Sequence, residues 1–178
     1  PFQVADVLNG IKKELAADKI LISVVTGVLI SEMEGIVKKN IAYFRAMPNT
    51  AIAIQESMTC ICSKDADNAT VKYVNDLFST VGKVVTIDEK LMEAATILAA
   101  CGTAYAMRYI RANIQGGIEI GFDAATASLI SAQTVKGAAE LLLQKGSHPE
   151  QEIDKVTTPK GCTIAGLNEM EHQGFSSS

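Results

Sequence analysis

Tryptophan is absent from this 178-residue chain, and four Tyr with five Phe hold the aromatic share to 5%. So few rings argue against base-stacking platforms and against membrane anchoring by interfacial Trp. Basic charge is not in excess either. Sixteen Lys and Arg stand against 20 Asp and Glu, a net charge of −4, and no segment forms a basic nucleic-acid platform. Long apolar runs are also missing: the longest charge-free stretch, Ala94 to Met107, falls short of the roughly 18 residues at which a membrane span is suspected. The expectation is a soluble protein with no nucleic-acid and no membrane partner.

Histidine and cysteine are equally sparse. His148 and His172 lie in polar, exposed contexts, and Cys60-x-Cys62 lacks the two-residue gap of a zinc knuckle, so no metal site is expected. Cys101 and Cys162 stand alone, and a chain of this length needs no disulfide scaffold, which predicts reduced thiols in a cytoplasmic setting. Neither His stands beside a carboxylate and a Ser or Cys at the spacing of a triad, and Glu169 and Glu171 do not share a helix face. No G-x-G-x-x-G occurs, so the dinucleotide fingerprint is absent from these residues. The chain opens on Pro1 without a signal or transit segment, implying a processed start or a piece of something longer.

What is present is aliphatic: 48% of residues are hydrophobic and 20% charged, enough to fill a core. Val4, Val7, Leu8, Ile11 and Leu15 trace one helical face. Ile20 to Val25 is a nearly continuous β-branched run, which predicts a strand buried on both faces in a parallel sheet. Ser31 with Glu34 three residues on suggests a capped helix to about Lys39. Strands are predicted at Ile41 to Ala46, Ser57 to Cys62 and Lys83 to Ile87, with a helix from Asp65 to Thr80; this alternation is that of an α/β layered sheet. From Asp88 the strand signal stops. Helical composition runs over 88–121 with a break near Cys101-Gly102, then over 123–145 closed by Gly146, over 149–156, and from Thr163 to about His172. The tail 173–178 is polar. Many small residues at 94–138 allow close helix approach, and two long apolar helices with few neighbours predict a homodimer.

Four places could carry chemistry. In Thr157 to Thr163 a Pro fixes the turn, Gly161 permits close approach, and a helix opens at about Thr163 with free N–H groups and the positive end of its dipole. Such a loop suits a carboxylate held by Thr158 and Thr163; the alternative is a helix merely capped by Thr163. Met47-Pro48-Asn49-Thr50 and Thr26-Gly27 each follow a predicted parallel strand, where open α/β sheets bind ligands, or they are ordinary turns. Cys101 to Tyr105 is a small-residue break whose Tyr105 reads more readily as a core aromatic than as an acid.

The segment Val156-Thr157-Thr158-Pro159-Lys160-Gly161-Cys162-Thr163-Ile164-Ala165-Gly166-Leu167, followed by Glu169, Glu171 and Gly174-Phe175, resembles the V-T/S-S-P-G-G-x-T-I-A-G-L signature of the pyrroline-5-carboxylate reductases. Arg45-Ala46-Met47-Pro48-Asn49-Thr50 is similar to that family's R-x-M-P-N-T turn. Leu77-Phe78 through Val81-Gly82 to Asp88-Glu89 and Leu91-Met92, then Ala132-Gln133-Thr134-Val135 with Gly137-Ala138-Ala139, complete the match in unbroken order. The resemblance implies an oxidoreductase that reduces the C=N bond of a cyclic imino acid to proline with hydride from NADP or NAD in reduced form. It implies a partial Rossmann-type sheet over 1–87 followed by an all-α substrate-binding and dimerisation domain over 88–178, assembled as a homodimer or a larger oligomer built on dimers.

By the same resemblance, Thr158, Gly161, Cys162 and Thr163 would hold the imino-acid substrate, and Thr163 would be catalytic, donating to the imine nitrogen. Thr26, Gly27, Met47, Pro48, Asn49 and Thr50 would line the cofactor crevice. Lys160 departs from the first of the family's paired glycines, Ala99 to Tyr105 replaces S-G-S-G-P-A-Y, and Ala51 replaces a Pro. The family's earlier βα units and G-x-G loop have no counterpart here, so a non-catalytic oligomerisation fragment, or a related small-acid dehydrogenase, is the alternative.

Overall fold

The computed structural model describes residues 1–177; Ser178, the last residue of the predicted polar tail and of the predicted 88–178 domain, lies outside the described residues. The chain forms two compact bodies, one from Pro1 to Arg108 and one from Tyr109 onward.

In the first body, strands β1 (Ile20–Ser23), β2 (Ala42–Met47), β3 (Ser57–Lys64) and β4 (Gly82–Thr86) pair in the order β1-β2-β3-β4. Helix α1 (Val4–Ile11) precedes the first strand, and α2 (Ile30–Val37) and α3 (Asn68–Ser79) fall between strands. The sheet is mixed and not wholly parallel: β1 and β2 run parallel, β2 and β3 antiparallel, β3 and β4 parallel. The reason is the link over 48–56, too short for a crossover helix and shaped as a single 3-10 segment, Thr50–Ile54.

Alternation along β2 builds two cores. Tyr43 and Met47 pack on one face with Leu8, Met33, Val37, Cys60, Cys62 and Met92, while Phe44 and Ala46 pack on the other with Ile61 and Val74 of α3. The strands buried on both faces are therefore β2 and β3. The first strand, predicted to be so buried, is half-buried throughout and stops at Ser23, with Val24 exposed, because it ends the sheet order and among the described residues pairs on one side alone. Nor does Ser31 cap α2. Leu29 occupies the cap, its N–H donating to Glu32 Oε2 at 2.7 Å. In α3, by contrast, Asp67 caps by accepting from Thr70 N–H at 2.7 Å, and that bond holds the Asp67 carboxyl below its ordinary pKa.

Beyond Asp88 the chain is helical. A short α4 (Met92–Ala95) passes into a π-turn segment (Thr96–Cys101) and on into α5 (Gly102–Glu119). The predicted break near Cys101-Gly102 is thus a wide helical turn, in which Gly102 N–H donates five residues back to Ile97 O. Tyr105, expected in a core, is exposed.

The second body contains α6 (Ala124–Lys145), α7 (Pro149–Val156) and α8 (Cys162–His172). Asp123 caps α6 through Ala125 and Thr126 N–H, and Gly146 closes it at φ +64. His148 caps α7, its Nδ1 accepting from Glu150 N–H at 3.3 Å. A Cβ on Gly117 would stand 3.2 Å from Ala127 Cβ, so α6 approaches the end of α5 closely there. Few other side chains of these helices are buried, and Ile120, Leu129 and Leu143 are at least 70% exposed.

Candidate functional site

The carboxyl ends of the parallel pair β1 and β2 bring the first two candidate turns together. Gly27 turns the chain at φ +76, and Thr26 Oγ1 donates to Met47 Sδ at 3.7 Å. Met47 itself is core, so what it can offer a ligand is main chain. Pro48 and Asn49 are half-buried and Thr50 is exposed. Asn49 is held from three sides: its N–H donates to Ser57 Oγ at 3.2 Å, its Oδ1 accepts from Ala51 N–H at 3.1 Å, and its Nδ2 donates to Ala99 O at 3.4 Å.

One tie in this body had no signal in local sequence. Glu89 Oε1 accepts from Ile30 N–H at 2.8 Å, filling a free donor at the start of α2, and from Arg45 Nη1 at 3.1 Å. Arg45 is almost wholly buried in the centre of β2. Only contact across 44 residues of chain joins the two side chains, so no spacing rule could have paired them.

In the second body the loop after α7 is tight. Thr157 Oγ1 donates to Ile153 O at 2.8 Å, and Gly161 N–H donates to Thr158 O at 3.0 Å. A Cβ on Gly161 would lie 2.4 Å from Thr158 Oγ1, which accounts for the glycine. The helix α8 opens at Cys162, with Gly161 as its cap residue and no side-chain cap bond. Thr163 is therefore not the cap that the simpler reading allowed; it is the second helical residue, half-buried, with the hydroxyl of Thr158 exposed nearby in sequence. The arrangement leaves the first-turn N–H groups and the positive end of the helix facing the loop, a chemistry suited to a carboxylate.

Lys160 sits in this loop at φ +62, a conformation that side chains adopt at a cost of about 1 kcal/mol or more. Lys160→Gly is therefore expected to leave the loop in place and raise stability by about 0.5–1 kcal/mol. A thermal melt reads the gain as an upward shift; an unchanged or lower midpoint would mean the lysine side chain has a compensating contact.

For metals the site offers little. Among the described residues no three His, Cys, Asp or Glu gather at ligand distance. All four cysteines are free, and burial pushes the Cys60 and Cys62 thiols up from their ordinary pKa, with the Glu89 carboxylate adding to the rise at Cys62. Among these residues no helix is long and apolar enough to cross a membrane.

A mixed four-stranded sheet with helices, followed by a helical region that matches a dimerisation profile, defines the class of protein. The family profile described as pyrroline-5-carboxylate reductase dimerisation matches residues 89–178. The chain is 46% identical, over 99% of its length, to pyrroline-5-carboxylate reductase 2 of Dictyostelium discoideum, covering 64% of that protein. It is 47% identical to pyrroline-5-carboxylate reductase 1 of the same organism, covering 34% of it. Among solved structures, the Plasmodium falciparum pyrroline carboxylate reductase with NADP bound superposes with a TM-score of 0.91 at 32% identity, covering 99% of this chain and 71% of that one. The chain belongs to the pyrroline-5-carboxylate reductase family. It spans between a third and about two thirds of the length of the two Dictyostelium relatives.

Proposed function

We propose that the chain is the substrate-binding and dimerising part of an NAD(P)H-dependent reductase that converts 1-pyrroline-5-carboxylate to proline. The observation that carries the reading is the loop 157–163: a Pro-fixed turn, a glycine that no larger residue can replace without meeting Thr158, and an uncapped helix start, all within the family's signature. Thr158 Oγ1 and the first-turn N–H groups of Cys162 and Thr163 hold the substrate carboxylate, while Gly161, its own N–H closing the turn onto Thr158 O, permits the close approach. The Thr163 hydroxyl donates to the imine nitrogen and eases the arrival of a proton there as the C=N bond is reduced, so no strong base is needed.

The turns at Thr26-Gly27 and Met47-Pro48-Asn49-Thr50 fit part of a dinucleotide crevice, being adjacent at the carboxyl ends of two parallel strands and offering main-chain groups with a glycine at positive φ. When bound, the reduced nicotinamide supplies the hydride. In this reading residues 1–87 are the C-terminal part of a dinucleotide-binding domain and 88–178 form the helical substrate-binding and dimerisation domain. The four free thiols support a reducing, cytoplasmic setting.

The test is spectrophotometric: NADPH oxidation with pyrroline-5-carboxylate, on this chain and on the chain extended at its N-terminus by a relative's dinucleotide-binding segment. Turnover of the extended form is the expected result; reduction of a different small acid in its place would overturn the substrate. In that form Thr163→Ala is expected to lower kcat about 10²-fold, the scale of a positioned proton donor, with the circular-dichroism melt unchanged. An unaltered rate would remove Thr163 from the mechanism.

The partner is proposed to be a second copy of the chain. Exposed Leu129 and Leu143 on α6, with Ile120 just past the end of α5, leave apolar surface that water covers poorly, as expected of helices that interlock with another copy. Sedimentation equilibrium should return a multiple of the 18.9 kDa chain mass at micromolar concentration; a stable monomer would refute the assembly.

A further inference from the structure

We infer that Asn49 is a positioning residue that ties the cofactor-side turn to the π-turn at Thr96–Cys101, acting through the Ala99 carbonyl. The orientation of its amide is not arbitrary. Ala51 N–H needs an acceptor and finds Asn49 Oδ1 at 3.1 Å, which fixes the side chain and turns Nδ2 toward Ala99 O at 3.4 Å. The main chain of Asn49 is anchored as well, its N–H donating to the buried Ser57 Oγ, which in turn lies 3.2 Å from Thr59 Oγ1. The turn is thus pinned to β3 on one side and to the helix on the other.

The helical end of the tie is unusual in its own right. The widened turn displaces the regular ladder, and the Ala99 carbonyl takes two side-chain donors, Asn49 Nδ2 and Thr103 Oγ1 at 3.3 Å. Single wide turns of this kind recur at functional sites. Asn49, Ala99 and Thr103 also share the wall of one apolar groove of about 670 Å³. Each bond is long and individually weak, so the tie holds the turn in register without welding it. Loosening it should be felt at the ligand that the turn carries, before it is felt in overall stability. The existence of the tie is independent of the reductase reading; its kinetic consequence rests on that reading.

Two substitutions separate the parts. Asn49→Asp keeps the acceptor for Ala51 N–H and removes the donor to Ala99 O; Asn49→Ser keeps a short acceptor that cannot reach Ala99, and serves if the first variant does not fold. Deuterium exchange on this chain should rise about fivefold over 96–104, the loss of one net hydrogen bond, while β3 stays protected. In the N-terminally extended form, KM for NADPH should rise about fivefold with KM for the imine unchanged. Unchanged exchange over 96–104 removes the tie. Raised exchange with unaltered KM for NADPH makes it merely structural, and raised KM without raised exchange makes Asn49 a direct cofactor contact; either overturns the inference. If the wild-type extended form reduces no imine, the reductase reading falls and direct NADPH titration replaces KM: a Kd weakened together with raised exchange sustains the tie, and an unchanged Kd ends it.

Discussion

Gly82→Ala is expected to leave little or no folded chain. Gly82 opens β4 at φ +148, and a Cβ built there would lie 2.1 Å from Ser57 O and 2.4 Å from Ser57 N, both main-chain atoms of the paired strand. No flexible side chain can yield. Relief would require β4 to move off β3, breaking the bond from Ser57 N–H to Val81 O and disturbing the Ser57 hydroxyl that supports Asn49. Steric overlap, backbone strain and a lost ladder bond together cost at least about 4 kcal/mol, a large part of the 5–15 kcal/mol that holds an ordinary domain. Gly10→Ala is the matched control: that glycine lies inside α1 with nothing within 4 Å of its added Cβ, and the change should stabilise by about 0.5–1 kcal/mol. The measurement is a pair of denaturant titrations. A Gly82→Ala protein with a midpoint near that of the parent would show that the strands can part at little cost.

Gly82 was legible in the sequence only as part of the family's G-containing passage, and its reason was not. The same division runs through the molecule. Gly146 closes α6 as expected, and Asp123, expected as its first residue, caps it, because capping is a local matter of one side chain and its neighbouring N–H groups, or of one residue's φ. The candidate turns were legible as positions, since strand ends are marked by Gly and Pro. Their content was not: Asn49 reaches Ala99, and Glu89 reaches Arg45 and Ile30, across stretches of chain over which composition carries no information. Small residues such as Ala99 and Ala100 suit wide and ordinary helical turns equally, so the sequence predicts only a break where the π-turn lies. The half-burial of β1 depends on its place in the sheet order, which hydrophobicity along one strand does not encode. Lys160 could be picked out as a departure from paired glycines, and its left-handed backbone explains why glycine suits the position.

The Glu89 carboxylate joins three elements that sequence reasoning kept apart, and removing it is the second large effect. Glu89→Ala leaves Arg45, with a side chain 2% exposed, as an uncompensated charge inside the sheet, and leaves Ile30 N–H without its acceptor at the start of α2. Arg45 Nε already has no partner among the described residues, so the guanidinium has little else to turn to. Breaking one side of a buried pair costs about 3–5 kcal/mol; because Glu89 is itself 32% exposed, water can enter its place and the lower end, about 3 kcal/mol, is expected. Glu89→Gln should cost less, since an amide oxygen can still accept from both donors. The decisive variant is the double one, Arg45→Met with Glu89→Ala, which removes the buried charge while still leaving Ile30 N–H without its acceptor. If the penalty of Glu89→Ala comes from the stranded guanidinium, the double variant should be more stable than Glu89→Ala by about 1–2 kcal/mol in urea titration. Equal stabilities would assign the loss to the helix start and not to the charge. A Glu89→Ala protein as stable as the parent would show that the ion pair holds nothing, and that the first helical turn beyond the sheet is fixed by Met92 and Ala95 packing alone.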